Sequence, residues 1–391
     1  MNEESVPSPR VSYLTIAGEW TRIGCIGFGG PPNHIILLRR LSVERRHWID
    51  EREFEDGIAA ANLLPGPAST QLAIWCAWRL RGTLGALIGG VCFITPGLVL
   101  ILALSALFLD RSAPNWVLGA AAGAGAAVPA VALNAARTLV PGSWRALGTQ
   151  RMERVRWVLY LVVGGAAAAL VGSYLVLVLV VCGLTEIVAR GSEPRTTLGS
   201  TRVMSPALVA HASVASGLGA VAWVALKVGA LSYGGGFVIV PLMQHDVVST
   251  YHWMSGTQFL SVVALGQVTP GPVVQTVAAV GFAARGLGGG LLAALIVFTP
   301  SFVFVIVGAP HFDRLRTNSS IRSFLRGAGP AVIGAIAGSA IPLGRSLTHA
   351  WQIPILAGAT LLLIAFRRNV VSCLVLAGVT GLLLAVSGVS I

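Results

Sequence analysis

Laid over itself with an offset of 205 residues, the chain brings its rarest clusters into register without a gap. Phe28-Gly29-Gly30 falls on Tyr233-Gly234-Gly235, His47-Trp48 on His252-Trp253, and Pro65-Gly66-Pro67 on Pro270-Gly271-Pro272. At an offset of 204, Arg81-Gly82 meets Arg285-Gly286 and Thr95-Pro96 meets Thr299-Pro300. Chance does not align such clusters in order, so the fold must be built from two related units. A polar stretch from Arg190 to Met204 separates them. The expected organisation is an N-terminal repeat over 1–190, a linker over 191–206 and a C-terminal repeat over 207–391.

Each unit reads as six apolar segments: 12–38, 54–78, 83–109, 115–136, 157–171 and 173–189, then 207–243, 257–284, 287–310, 323–343, 351–366 and 370–391. A bilayer crossing takes about 20 apolar residues. With 55% hydrophobic and only 11% charged residues, the chain falls far below the ~25% charge of soluble proteins. The expected fold class is an all-α polytopic membrane protein. The formal charge of +12 sits in short tracts between apolar segments, which reads as orientation by the positive-inside rule and excludes nucleic acid. Cys25, Cys76, Cys92, Cys182 and Cys373 are dispersed in apolar stretches, and the seven histidines form no ligand cluster. No disulfide framework, metal or cofactor is expected. Met1 to Ser12 lacks the basic-then-apolar pattern of a signal peptide.

The basic residues also bear on topology. If all six segments of each unit cross, the loops share their cations 12 against 13 and give no orientation. If the Pro-Gly-Pro segment of each unit instead enters and leaves on one side, each unit makes five crossings and the second is inverted. One face then collects 21 arginines and the other only Arg10, Arg111, Arg285 and Arg345, with Arg22 and Lys227 inside the membrane. The expectation is therefore two inverted-topology repeats, each of about five transmembrane helices plus a re-entrant segment. It places both termini on the arginine-poor face.

Candidate site residues follow from what a bilayer tolerates. Arg22 and Lys227 are equivalent by the offset of 205, and a cation at membrane depth costs about 2.5–3.5 kcal/mol. Gly29-Gly30 with Pro31-Pro32, and Gly234-Gly235, break a helix and expose free N–H groups to an anion. Pro65-Gly66-Pro67 and Pro270-Gly271-Pro272 cannot continue a helix, and unpaired backbone survives in lipid only where protein or water meets it. Amides recur beside them: Asn62 is equivalent to Gln267, and Thr70-Gln71 lies opposite Gln275-Thr276. His47-Trp48 and His252-Trp253 read as interfacial anchors without chemistry.

At these residues the sequence resembles the chromate ion transporter family in its long, two-domain form. The resemblance rests on FGGP at 28–31, VERRHWIDE at 43–51, LLPGPASTQLA at 63–73, YGGGFVIVPLMQ at 233–244 and VTPGPVVQTVA at 268–278. Tyr233 in place of the usual phenylalanine and the doubled proline at Pro32 are its small departures. The resemblance implies a multi-pass protein of the bacterial inner membrane that exports chromate, driven by the proton gradient. Sulfate, a tetrahedral dianion of similar size, would suit the same cations and dipoles. A passive anion channel and a lipid-headgroup flippase are the alternatives, and a homodimer is left open. An enzyme would need a nucleophile–base pair or metal cluster at membrane depth, and the sequence has neither.

Overall fold

The computed structural model describes residues 11–109, 113–148, 150–172, 174–191, 217–232, 237–308 and 318–390. Every regular element among them is helical. In the first unit these are α1 (Tyr13–Ile26), α2 (Pro31–Arg39, continued by a π-turn Arg40–Arg45), α3 (Glu51–Leu63), α4 (Ala68–Phe108), α5 (Asn115–Ala126), α6 (Val128–Arg145), α7 (Arg151–Ala166, with a π-turn Ala167–Val171) and α8 (Leu175–Gly191). The second unit has α9 (Leu218–Leu231), α10 (Ile239–Gln244, with a π-turn His245–Thr250), α11 (Gly256–Val268), α12 (Thr276–Gly308, after a 3₁₀ turn Val273–Gln275), α13 (Ser319–Arg345), α14 (Gln352–Thr360, with a π-turn Leu361–Ala365) and α15 (Val370–Val386). Among the described residues, five stretches are long and apolar enough to cross a membrane: Ala68–Phe108, Asn115–Arg145, Arg151–Val171, Val273–Gly308 and Ser319–Arg345.

The first apolar segment of each unit is not one helix but a bent pair. Arg46 donates to Glu19 at 2.8 Å, although 27 residues of continuous helix would set them about 40 Å apart. The chain turns at Gly27–Gly30, where Gly29 and Gly30 take φ of 88° and 76°, and α2 runs back beside α1. Lys227 on α9 meets Asp246 after α10 in the same way. The expectation that 12–38 crosses in one piece is therefore corrected: Val11 lies beside Arg81, whose guanidinium donates to its carbonyl at 3.3 Å.

The Pro-Gly-Pro motifs turn a second pair of helices. Gly57 and Trp75, each nine residues from Gly66, pack against one another, and Glu53 pairs with Arg79. Thus α3 and the start of α4 are antiparallel arms with the motif at their tip. Asp50 caps α3 by accepting from the Arg52 amide at 3.0 Å. Its counterpart Ser255 caps α11 in a reciprocal box with Gln258. His47 and His252 hold φ of 51° and 50°, so these residues, read from sequence as anchors, turn the chain between hairpins.

The long α4 and α12 each reverse direction once. Arg81-Gly82 (φ −146°, 59°) and Arg285-Gly286 (φ −149°, 62°) adopt one shared non-helical turn, whose second residue needs glycine. Gly85 and Gly89 then fold back onto Ala77, and Gly289 onto Gly281. Small residues permit such close backbone approach where lipid supplies no hydrophobic drive. The same device joins the units. Gly164 and Gly334 bring α7 against α13, and Gly123 and Gly381 bring α5 against α15. The equivalent second arms of α4 and α12 pack antiparallel, with Gly90 against Phe302 and Leu102 against Gly290.

Candidate functional site

Each Pro-Gly-Pro tip is pinned by the other unit. Proline supplies no amide hydrogen, so Gly66 carries the one N–H of its tip, and it donates to the Ser232 carbonyl at 3.1 Å. Gly271 donates to the Gly27 carbonyl at 3.0 Å. Ser232 and Gly27 are the C-caps of α9 and α1, equivalent by the offset of 205. Gly66 and Gly271 hold φ of 121° and 90°, which β-carbon-bearing residues resist. Behind each tip a glutamine folds back: Gln71 Nε2 donates to the Pro65 carbonyl at 2.7 Å and Gln275 Nε2 to the Pro270 carbonyl at 2.8 Å. Carbonyl acceptors fix the amide orientation, so both Oε1 atoms point elsewhere.

Those Oε1 atoms have no protein partner. Nor do Thr70 Oγ1, Ser232 Oγ, Gln267 Nε2 and Ser301 Oγ, all buried and all on the tips or the segments that pack against them. An orphaned buried polar group costs about 1–3 kcal/mol, and six on or beside the two tips need an explanation. Three hydroxyls and an amide nitrogen are donors, so an oxyanion that accepts from them would remove most of the cost. One helix N-terminus adds to this. α4 begins after Pro67 without a side-chain cap, so its first amides, on Ala68 and Ser69, and its positive dipole end stay free for an anion. The expectation of free N–H groups after Gly29-Gly30 is corrected: Pro31 and Pro32 carry none, and the Asn33 and His34 amides donate to the Gly30 carbonyl at 3.2 and 3.3 Å. Gly30 also faces Val273, the start of the chain beyond the second tip.

His34 ties the two hairpins of the first unit together. Fully buried, it donates from Nε2 to the Gly27 carbonyl at 2.8 Å, and in the neutral ring Nδ1 accepts from Ser69 at 3.2 Å. The Gly27 carbonyl therefore accepts from His34 and from Gly271 at once. Sequence reasoning missed His34 because its counterpart by the offset is Ile239. Ser232 and Ser301 were missed for a similar reason: Gly27 and Gly97 replace them in the first unit, and a lone serine carries no pattern.

Of the residues singled out from sequence, the structure gathers Pro65-Gly66-Pro67, Pro270-Gly271-Pro272, Gly30, Gln267 and Gln275 around the tips. Gly29 sits in the α1–α2 turn in open space. Gly234 and Gly235 lie outside the described residues. Asn62 is exposed, although its equivalent Gln267 is buried. The two cations expected at membrane depth are both compensated: Arg22 by Glu19 at 3.6 Å, with an exposed side chain, and Lys227 by Asp246. The acid facing Lys227 lies 19 residues away, beyond any helical spacing, and only the bend brings it near.

Two cavities approach the tips. One, of about 620 Å³, is apolar and touches Leu64-Pro65 and Ala230-Leu231 beside the Gly66–Ser232 contact. The other, of about 590 Å³, lies between α3, α6, α7 and α13 and is lined by Asn62, Ser143, Trp157, Arg322 and Arg326. Leu325 and Val332 line both. On the equivalent side of the second hairpin α11 packs along α5, with Gly125 against Leu260 and the Ser261 hydroxyl donating to Ala121 at 3.3 Å. The two flanks are thus unequal: one is packed and the other holds the arginine-lined cavity.

Comparisons with known proteins bear on the family of the chain. The profile of the family described as "Chromate transporter" matches residues 14–211 and 219–382. The chain is 30% identical to a probable chromate transport protein of Synechococcus elongatus over 87% of each chain. It is 30% identical to a chromate transport protein of Cupriavidus metallidurans, covering 86% of this chain and 84% of the other. A chromate transport protein of Pseudomonas aeruginosa is also 30% identical, over 97% and 94%. No solved structure matches the chain.

Proposed function

The chain belongs to the chromate transporter family, and on that premise we propose that it exports chromate across the bacterial inner membrane through a site at its two Pro-Gly-Pro tips. The observation that carries this reading is the six partnerless buried polar atoms on the two tips and the segments beside them. Hydroxyl and amide donors beside the free N-terminus of α4 would replace the water that a tetrahedral oxyanion sheds.

In this reading the repeats are inverted and the tips are re-entrant. The antiparallel packing of the equivalent arms of α4 and α12 supports it, because a twofold axis that makes equivalent helices antiparallel lies across them. The reciprocal Gly66–Ser232 and Gly271–Gly27 bonds support a twofold relation between the units. Folding α1 back beside α2 carries Val11 to the side of Arg81. That brings the start of the chain to the arginine-rich face, expected to be cytoplasmic. Each unit then makes four crossings, so inversion rests on the antiparallel packing of α4 and α12 and no longer on an odd number of crossings.

The unequal flanks support alternating access, in which the hairpins take turns at opening their side of the tips. Protons are the coupling ion in this proposal, with His34 and the Lys227–Asp246 pair as the groups placed to carry them. Purified protein in proteoliposomes decides among substrates and mechanisms. Flux of chromate, sulfate and phosphate is measured with and without an imposed proton gradient. Gradient-dependent chromate flux is expected. Sulfate preferred over chromate would reassign the substrate, and gradient-independent flux at channel rates would overturn the coupled mechanism.

A further inference from the structure

We infer that Arg322 and Arg326 form an anion-recruiting vestibule on the arginine-rich face, one that loads the tips from that side only. The inference rests on the transport reading above and adds to it a recruiting site and a direction.

Both arginines line the 590 Å³ cavity with Asn62 and Trp157. A water occupies about 30 Å³, so the space holds an oxyanion together with its hydration shell. The charge there is not balanced. Arg326 lies within electrostatic reach of Arg190, Glu153, Arg322 and Glu186. The two carboxylates are already engaged: Glu186 by Arg156 at 2.8 Å and Arg190 at 2.7 Å, and Glu153 by Arg190 at 2.7 Å. Among the described residues four guanidinium groups thus face two carboxylates, and neither Arg322 nor Arg326 has an acid in contact. An excess of positive charge in a walled cleft concentrates anions.

Position then turns attraction into delivery. Asn62 lies four residues before Gly66 on α3, so the cavity leads from the arginines to the first tip. Aligning Pro129 and Pro141 with Pro330 and Pro342 sets Arg322 and Arg326 opposite Ala121 and Gly125 in the first unit. Those two residues lie on the packed α5–α11 flank and carry no charge. When that flank opens, its mouth lacks the arginine pair; the exposed Arg345, next to the Ser346–Thr257 contact, is a single cation at the start of α11. A mouth with two unpaired arginines on one face and without them on the other favours capture at the first and release at the second.

The test uses full-length protein in proteoliposomes, with Cys25 and Cys92 replaced by alanine and Asn62→Cys as the reporter. Rates of thiol modification are compared for the anionic sulfonatoethyl and the cationic trimethylammonioethyl methanethiosulfonates. The anion-to-cation rate ratio should fall about tenfold in Arg322→Gln/Arg326→Gln and stay high in Arg322→Lys/Arg326→Lys. Should the double variant fail to fold, raising salt on the protein with both arginines in place gives the same reading, because screening must collapse the ratio. A ratio unchanged by charge removal or by salt overturns the vestibule. In parallel, the apparent KM for chromate offered at the arginine-rich face should rise about tenfold with kcat retained, and the KM from the other face should not move. A lower kcat at constant KM would overturn recruitment. Absent chromate flux in the unmutated protein would sink the transport reading alone, since the labelling ratio needs no transport.

Discussion

The amide of Gly66 donates to the carbonyl of Ser232 at 3.1 Å across the boundary between the repeats, and Gly271 donates to Gly27 in the reciprocal bond. Each tip thereby has its one amide hydrogen satisfied by the unit it does not belong to. Neither hairpin can open without giving up a backbone bond held in common, which ties the two halves of the site to one another.

Gly66→Ala and Gly271→Ala should each abolish transport. A β-carbon at Gly66 would meet the Gln71 amide, and alanine resists φ of 121° or 90°. The expected loss of stability is about 1–3 kcal/mol, seen as a lower melting temperature of purified protein. Unchanged flux in either variant would remove the tips from the mechanism.

Replacing orphaned hydroxyls separates a ligand role from a structural one. Thr70→Val and Ser301→Ala delete partnerless buried polar atoms, so stability should hold or rise by about 1 kcal/mol each. The KM for chromate should nevertheless rise severalfold. A stable variant with unaltered KM would show that those hydroxyls do not face substrate.

Lys227→Met should abolish transport and also destabilise the protein, because it strands the Asp246 carboxylate. Losing one partner of a fully buried pair costs about 3–5 kcal/mol, and less is expected of this part-buried one. Lys227→Met/Asp246→Leu should restore folding. Transport that returns with folding would mark the pair as structural, and a well-folded but inactive double variant would mark it as functional.

Inversion of the repeats is checked at Thr83 and Leu287, exposed equivalents just past the two helix reversals. Thr83→Cys and Leu287→Cys should be labelled by impermeant thiol reagents from opposite faces. A Leu98→Cys/Ala294→Cys pair should cross-link readily, because these residues share one small cluster in the antiparallel contact. Labelling of both positions from one face would refute the inverted arrangement.

The sequence by itself determined that the chain is a duplicated, membrane-embedded, helical protein of this transporter family. It also marked the Pro-Gly-Pro and Gly-Gly motifs where helices must break. These features are local or periodic: proline removes a donor wherever it stands, and an offset of 205 is visible in one dimension. Tertiary structure alone decided what the breaks lead to. The turn at Gly29-Gly30 sets α2 beside α1 and brings Glu19 to Arg46 across 27 residues, and α9 meets the end of α10 so that Lys227 reaches Asp246 across 19. No helical spacing encodes either approach, because the angle of a bend is set by what packs on both sides of it. The residues that break the repeat, His34, Ser232, Ser301, Arg322 and Arg326, carry no mark in a comparison that looks for likeness. They became visible only where the fold set each against a partner, or left it without one.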